Sequence, residues 1–389
     1  MTTTVATLKP MTGVSSLPFV SSSLHRKQSG LPSVNLPYIF VSHQLHGDLS
    51  NSISPKLKAA RDLTVQALSL KVAVIGAASS VGLALATNIT NVPHYTTAFH
   101  LFDNHPEIFK AASSLRQNTT AEVVVWTNLS DLGSCLRGAN VVIVAAANYR
   151  VPGVLTAAEQ FDLNRGLINF QIKGIADNCP DAIILVIAGP IESTVPMAAT
   201  ILEERGVYNP KKLLGVTALH SMRASLCLKL TSNLALIDVD VPVVGGSEGA
   251  NILPLFSKVK PFILLPDEKI KDMTAAVRFA GTGLFNPTAI QNERFYEGAA
   301  AGVFLIDCLL ALGGGTDIHS FAFVQSDITE LSFFASRVKL GKEGVEKVLY
   351  EDLKGLTYYE ANELKNLIPQ LKESIEMGLS VHKGRYTSP

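Results

Sequence analysis

From Lys71 onward, short runs of Val, Ile, Ala and Phe alternate with longer stretches in which apolar residues recur at helical spacing. The runs are Lys71–Ile75, Ala98–Phe102, Glu122–Trp126, Asn140–Ala145, Ile183–Ile187 and Leu213–Val216. They lack polar alternation, as expected of strands buried on both faces of a parallel sheet covered by helices. Strand–helix alternation of this kind predicts a doubly wound α/β domain over residues 69–216. After about Pro190 the rhythm lengthens, with hairpin-like runs at Leu236–Val244 and Pro261–Leu265. Between Thr357 and Gly378, Leu364, Leu367, Leu371 and Ile375 mark an amphipathic helix. An α+β domain is therefore expected over residues 217–389. Trp126 and the run Val303–Leu312 are expected in the core, the latter also as a dimer-contact helix.

The first 68 residues break this pattern. They carry Ser/Thr clusters, bases at Lys9, Arg26, Lys27, Lys56, Lys58 and Arg61, and no acid before Asp48. Hydroxyl-rich, acid-poor and mildly basic sequence is the composition of an organelle transit peptide, plastid before mitochondrion, with a plain disordered tail as the alternative. The whole chain has Lys+Arg 33 against Asp+Glu 33, so it has no excess cation with which to hold nucleic acid. Without the leader's 6 bases and 2 acids the balance is 27 to 31, mildly acidic. Cys135, Cys179, Cys227 and Cys308 are far apart without metal-ligand spacing and read as reduced buried thiols, with no metal site. The apolar runs Val141–Ala147 and Ile183–Ala188 are too short to cross a bilayer, so no membrane insertion is expected.

The first strand runs into Gly76-Ala77-Ala78-Ser79-Ser80-Val81-Gly82, a GxxGxxG-type phosphate loop of a Rossmann-like fold between a strand and a helix. Gly76 permits the tight turn and Gly82 the close helix–sheet packing. Ser79 replaces the middle glycine, and its Cβ and hydroxyl are expected to crowd a pyrophosphate. Asp103, ending the second strand, suits both ribose hydroxyls of NAD and repels a 2′-phosphate. Two outcomes stay open: an NAD site, or a scaffold that no longer binds nucleotide.

Further stretches carry a resemblance to NAD-dependent malate dehydrogenases, particularly those of plant plastids. They are Asp238–Gly246 (DVDVPVVGG), Ile252–Leu255 with Ser257–Pro261, Gly206–Leu213, and Phe333–Lys339 with Gly341 and Gly344–Glu346. The resemblance spans about Lys71 to Lys383 and implies an NAD domain, a substrate domain and a homodimer or a heteromer with related subunits. It also implies hydride transfer between malate and nicotinamide, with a histidine as base, a carboxylate orienting it, and arginines holding the substrate.

Several of those places are altered. Ser247 stands where the resemblance puts the histidine, and His220 where it puts the carboxylate. Arg150 and Arg223 match the two carboxylate clamps, while the carbonyl-polarising arginine is missing near Thr156–Ala158. Gly189 and Glu192 occupy two asparagine places, and Gln291–Arg294 replaces a small-residue turn beside the nicotinamide. The expectation is a catalytically impaired plastid homologue with a structural or interaction role, binding NAD doubtfully. The plastid resemblance extends to an envelope complex of AAA-protease type. The alternative is a working malate dehydrogenase with a relocated base such as His220. A Ser247–His220 couple with Glu192 or Glu248 as orienter, hydrolase-like, stands beside the plainer possibility of a mutually satisfied polar pair.

Overall fold

The computed structural model describes residues 68–89, 92–148, 155–232, 239–279 and 287–381, with the side chains of 287–293 left aside. The leader, Arg150, Asp238 and the side chains of Gln291, Asn292 and Glu293 lie outside these residues.

Six strands form the parallel part of one sheet: β1 (Leu70–Ile75), β2 (Thr96–Phe102), β3 (Glu122–Trp126), β4 (Val141–Val144), β5 (Ile183–Val186) and β6 (Leu213–Val216). Their order in the sheet is β3-β2-β1-β4-β5-β6, the doubly wound arrangement. Val72, Val74, Val141–Val144 and Leu185 are buried, because helices cover both faces: α1 (Ser80–Asn88), α2 (Ile108–Asn118), α3 (Leu132–Leu136), α4 (Ala157–Asn178) and α5 (Ile191–Glu204). Helix α4 starts on a capping box in which Thr156 accepts from the Glu159 amide and Glu159 reaches back to the Thr156 amide.

The sheet continues with a change of sense. β6 pairs antiparallel with β9 (Ile318–Gln325), β9 with β10 (Phe333–Gly341), and β10 with β7 (Val243–Gly245) and β11 (Gly344–Val348). β8 (Ile252–Pro254) closes the row against β7. Helices α6 (Ala218–Ser232), α7 (Asp267–Phe279), α8 (Pro287–Leu312) and α9 (Tyr358–Ser380) complete this part. α9 starts at the Thr357–Glu360 capping box and buries Leu367, Leu371 and Ile375.

Two elements differ from the sequence pattern. Residues 261–265 form no strand: only Lys260 bridges to Asp240, and Phe262 and Leu264 are 74% and 85% exposed while their neighbours Ile263 and Leu265 pack inward. Trp126 lies on the edge strand β3, half-buried, its Nε1 donating to His100 Nδ1 at 3.1 Å. The span Arg294–Leu312 of α8 is long and apolar enough to cross a membrane by length and composition, but 78% of it is buried within the protein. All four cysteines are free and buried.

Candidate functional site

In a doubly wound sheet the ligand crevice opens at the carboxyl ends of the strands where the order reverses, here between β1 and β4. The β1–α1 loop occupies that place. Gly76 has φ +86°, and a Cβ on it would lie 2.3 Å from the Ala146 amide nitrogen; a Cβ on Gly82 would lie 2.2 Å from the Gly76 carbonyl oxygen. Both positions therefore require glycine.

Ser79 does not. Its backbone is extended (φ −64°, ψ 158°), open to any residue, and it is the N-cap of α1. Its Oγ accepts from the Gly82 amide at 3.0 Å and donates to the Gly76 carbonyl at 2.7 Å, turning inward beneath the loop. The hydroxyl is thereby held at the first turn of α1 by Gly76 and Gly82. The Ser80 and Val81 amides, first and second of α1, find no acceptor among the described residues. Such amides are what a helix N-terminus offers to a phosphate. Asp103 Oδ2 accepts from the Ala78 amide at 2.9 Å and Oδ1 from the His105 amide at 3.0 Å, which ties the end of β2 to the loop.

The second half of the cleft is built around residues 247 and 248, just after β7. Glu192, in the first turn of α5, is 1% exposed and accepts three hydrogen bonds: from the Ser247 amide (2.7 Å), the Ser247 hydroxyl (3.0 Å) and the Glu248 amide (3.0 Å). A Cβ on Gly246 would lie 2.5 Å from Glu192 Oε1, so the absence of a side chain there makes room for the carboxylate. Glu192 is thus an internal anchor rather than an anion facing the cleft. Ser247 spends its proton on that anchor.

His220 is 7% exposed on α6 and lies beside the Ser247 main chain. Its Nδ1 is buried and has no hydrogen-bond partner among the described residues. Burial first, and then the nearby Arg223 guanidinium, push the imidazole pKa from 6.5 down to about 3. Arg223 itself is 6% exposed, one turn along α6.

Glu248 points across the cleft. Its Oε1 lies 3.5 Å from where a Cβ on Gly189 would be, and no described residue hydrogen-bonds or ion-pairs with its carboxyl. The residue is exposed by surface area yet ringed by protein, the situation of a group on the wall of a deep cleft. Desolvation and then the Glu192 carboxylate raise its pKa, with Arg294 opposing and Glu297 adding to the rise; solvent access from the cleft limits the effect. On α8, Arg294 Nη1 holds both Glu297 oxygens, at 2.9 and 2.8 Å. On the opposite wall Asn164, fully buried in α4, accepts from the Asn148 amide at 2.6 Å and donates to the Gly189 carbonyl at 2.9 Å. Asn164 was not singled out from sequence, since a buried amide inside an amphipathic helix carries no distinguishing pattern. Arg294–Glu297 has a signal in its i, i+3 spacing.

Among the described residues no group of three or more His, Cys, Asp or Glu could hold a metal. The strand order, glycine loop and acidic residue after β2 define a dinucleotide-binding dehydrogenase fold joined to a mixed second half. Residues 70–215 match the lactate/malate dehydrogenase NAD binding domain and residues 217–382 the alpha/beta C-terminal domain of the same enzymes. The chain belongs to the lactate/malate dehydrogenase family. It is 42% identical over 313 residues to a chloroplastic malate dehydrogenase of Arabidopsis thaliana, covering 80% of this chain and 77% of that protein. Over 311 residues it is 42% identical to a mitochondrial malate dehydrogenase of Eucalyptus gunnii, covering 79% and 88%. The malate dehydrogenase structure of Cryptosporidium parvum superposes with a TM-score of 0.67 at 18% identity, over 81% of this chain and all of that one. The lactate dehydrogenase of the same organism, solved with lactic acid and nicotinamide adenine dinucleotide, gives 0.63 at 20% identity, over 79% and 97%.

Proposed function

We propose that this protein keeps the NAD-binding scaffold of malate dehydrogenase, lacks the proton relay for hydride transfer, and serves in plastids as a structural or interaction subunit. The observation that carries this is the wiring of Ser247. Its hydroxyl donates to the buried Glu192, and burial pushes the pKa of the His220 imidazole down to about 3. Neither can take a hydroxyl proton at neutral pH with useful driving force.

Loss of one proton-transfer group costs about 10²–10⁴ in rate. Here both members of the acid–base pair expected from the family are replaced, and such losses do not multiply cleanly. The Ser79 cap, the amides of Ser80 and Val81, and Asp103 fit a dinucleotide; bound there, NAD would supply a hydride acceptor. These residues would hold its pyrophosphate and ribose whether or not turnover follows. Plastid residence is inferred from the hydroxyl-rich leader and is in keeping with the chloroplastic relative. Assembly as a homodimer, with related subunits, or in a plastid protein complex is part of the same proposal.

The test restores the relay. Ser247→His, His220→Asp and Glu192→Asn are combined, folding is checked by circular dichroism, and oxaloacetate-dependent NADH oxidation is compared with the parent. A gain of at least about 10²-fold is expected. A folded variant no faster than an already active parent would contradict the proposal.

A further inference from the structure

The run Pro261–Leu265 has the composition of a strand, yet the fold leaves it unpaired. Lys260 bridges antiparallel to Asp240, three residues before β7, at the end of the row that β8 closes. Beyond Lys260 the chain is neither helix nor strand until α7 begins at Asp267. Its burial still alternates as in a strand with one covered face: Ile263 and Leu265 pack inward, while Phe262 and Leu264 stand in solvent. No main-chain amide or carbonyl of residues 261–265 hydrogen-bonds to a described residue. An exposed edge with open main-chain groups and apolar side chains is a template for another strand.

The charges at its two ends select what pairs there. Lys260 stands exposed before the run, and Asp267 and Glu268 stand exposed after it. None of the three has an ion-pair partner among the described residues. The neighbouring Lys258 and Lys269 donate to the Gly355 and Thr231 carbonyls, and Lys271 lies over the Tyr359 ring. The run is therefore basic where it starts and acidic where it ends. Laid antiparallel about a two-fold axis through Ile263, a second copy brings each Lys260 to the Asp267–Glu268 end of its partner. Each Phe262 then faces a Leu264. Parallel pairing would instead set like charges together, which is unfavourable across strands.

We propose that residues 261–265 pair antiparallel with the same residues of a second copy of this chain, in a two-fold symmetric contact. The inference rests on the interaction role proposed above and gives assembly a surface and a partner. Pro261 and Pro266 bracket the run and confine main-chain pairing to the residues between them. So short a contact is small beside the roughly 800 Å² per partner of a stable interface, and the association is reversible and concentration-dependent.

The test is sedimentation equilibrium of the full chain over about 1 µM to 1 mM, the range open to a small contact. Lys260→Glu sets acid against acid at both ends, and Asp267→Lys with Glu268→Lys sets base against base. Each variant alone should associate about tenfold or more weakly than the parent. Mixing the two in equal amounts should restore association, because the reversed ends then face each other and so do the native ones. Phe262→Ser with Leu264→Ser should weaken it by about 10²-fold or more. All these side chains are exposed, and circular dichroism checks that each variant is folded. A parent mass that none of the variants alters, or a loss that mixing does not repair, overturns the proposal. Oxaloacetate turnover by the parent would overturn the proposed function alone, since the masses report association independently of it.

Discussion

His220 provides a stability probe of the altered site. Folding lowers its pKa from 6.5 to about 3 by burial beside Arg223. Between those values the unfolded chain binds a proton that the folded chain refuses, so stability falls as the pH drops through 6.5 and levels off near 3. The limiting slope is about 1.4 kcal/mol per pH unit. From pH 7 to pH 5 the loss from this one residue is about 2 kcal/mol, fixed by the unfolded value once the folded one lies well below 5. His220→Gln keeps a polar side chain of similar size and removes the titration. The assay is urea unfolding of parent and variant at pH 7, 6 and 5. The parent's unfolding free energy should fall relative to the variant's by about 2 kcal/mol across that range. Glu248, whose pKa folding raises, contributes with the opposite sign: its stability is present below about 4.5 and lost as the pH rises. It is common to both proteins and largely cancels in the difference. A difference constant to within about 0.5 kcal/mol, far below the linkage expected, would refute the assignment of a buried, neutral His220.

Gly82→Ala should lower NADH affinity at least about tenfold, about 1.4 kcal/mol, in a fluorescence titration, because its Cβ would meet the Gly76 carbonyl at 2.2 Å. Ser79→Ala removes only the cap of α1 and should cost about 1 kcal/mol in unfolding free energy, with a smaller effect on NADH than Gly82→Ala. Gly246→Ala pushes on Glu192 Oε1 at 2.5 Å and should destabilise by about 1–3 kcal/mol; a neutral result in denaturant unfolding would mean the carboxylate moves freely. Glu192→Ala, stripping three donors of one buried acceptor, should cost about 3 kcal/mol or more by the same measurement.

Much of the nucleotide half was legible because its physics is local. Apolar runs without polar alternation mark the strands of the covered sheet, the edge strand β3 among them, and Gly76 and Gly82 announce a turn and a close approach that no Cβ permits. What sequence could not show was direction. Ser79 reads in sequence only as a lost glycine; its backbone and rotamer make it the cap of α1. Glu192 looked like an anion facing the ligand, whereas its burial and three donors depend on the main-chain path of residues 246–248, set by a strand far away in sequence. The 261–265 run is apolar throughout, as a strand would be, but two of its side chains face solvent and no partner strand lies beside it among the described residues. Asn164 was invisible for the same reason: its partners, Asn148 and Gly189, come from two other loops.

Oxaloacetate-dependent NADH oxidation, measured on the purified protein beside an authentic malate dehydrogenase, tests the loss of the relay most directly. No rate above background is expected from protein that is folded and binds NADH. A rate within about tenfold of the control, a barrier difference of only about 1.4 kcal/mol, would contradict it and mean that some other group in the cleft takes the proton.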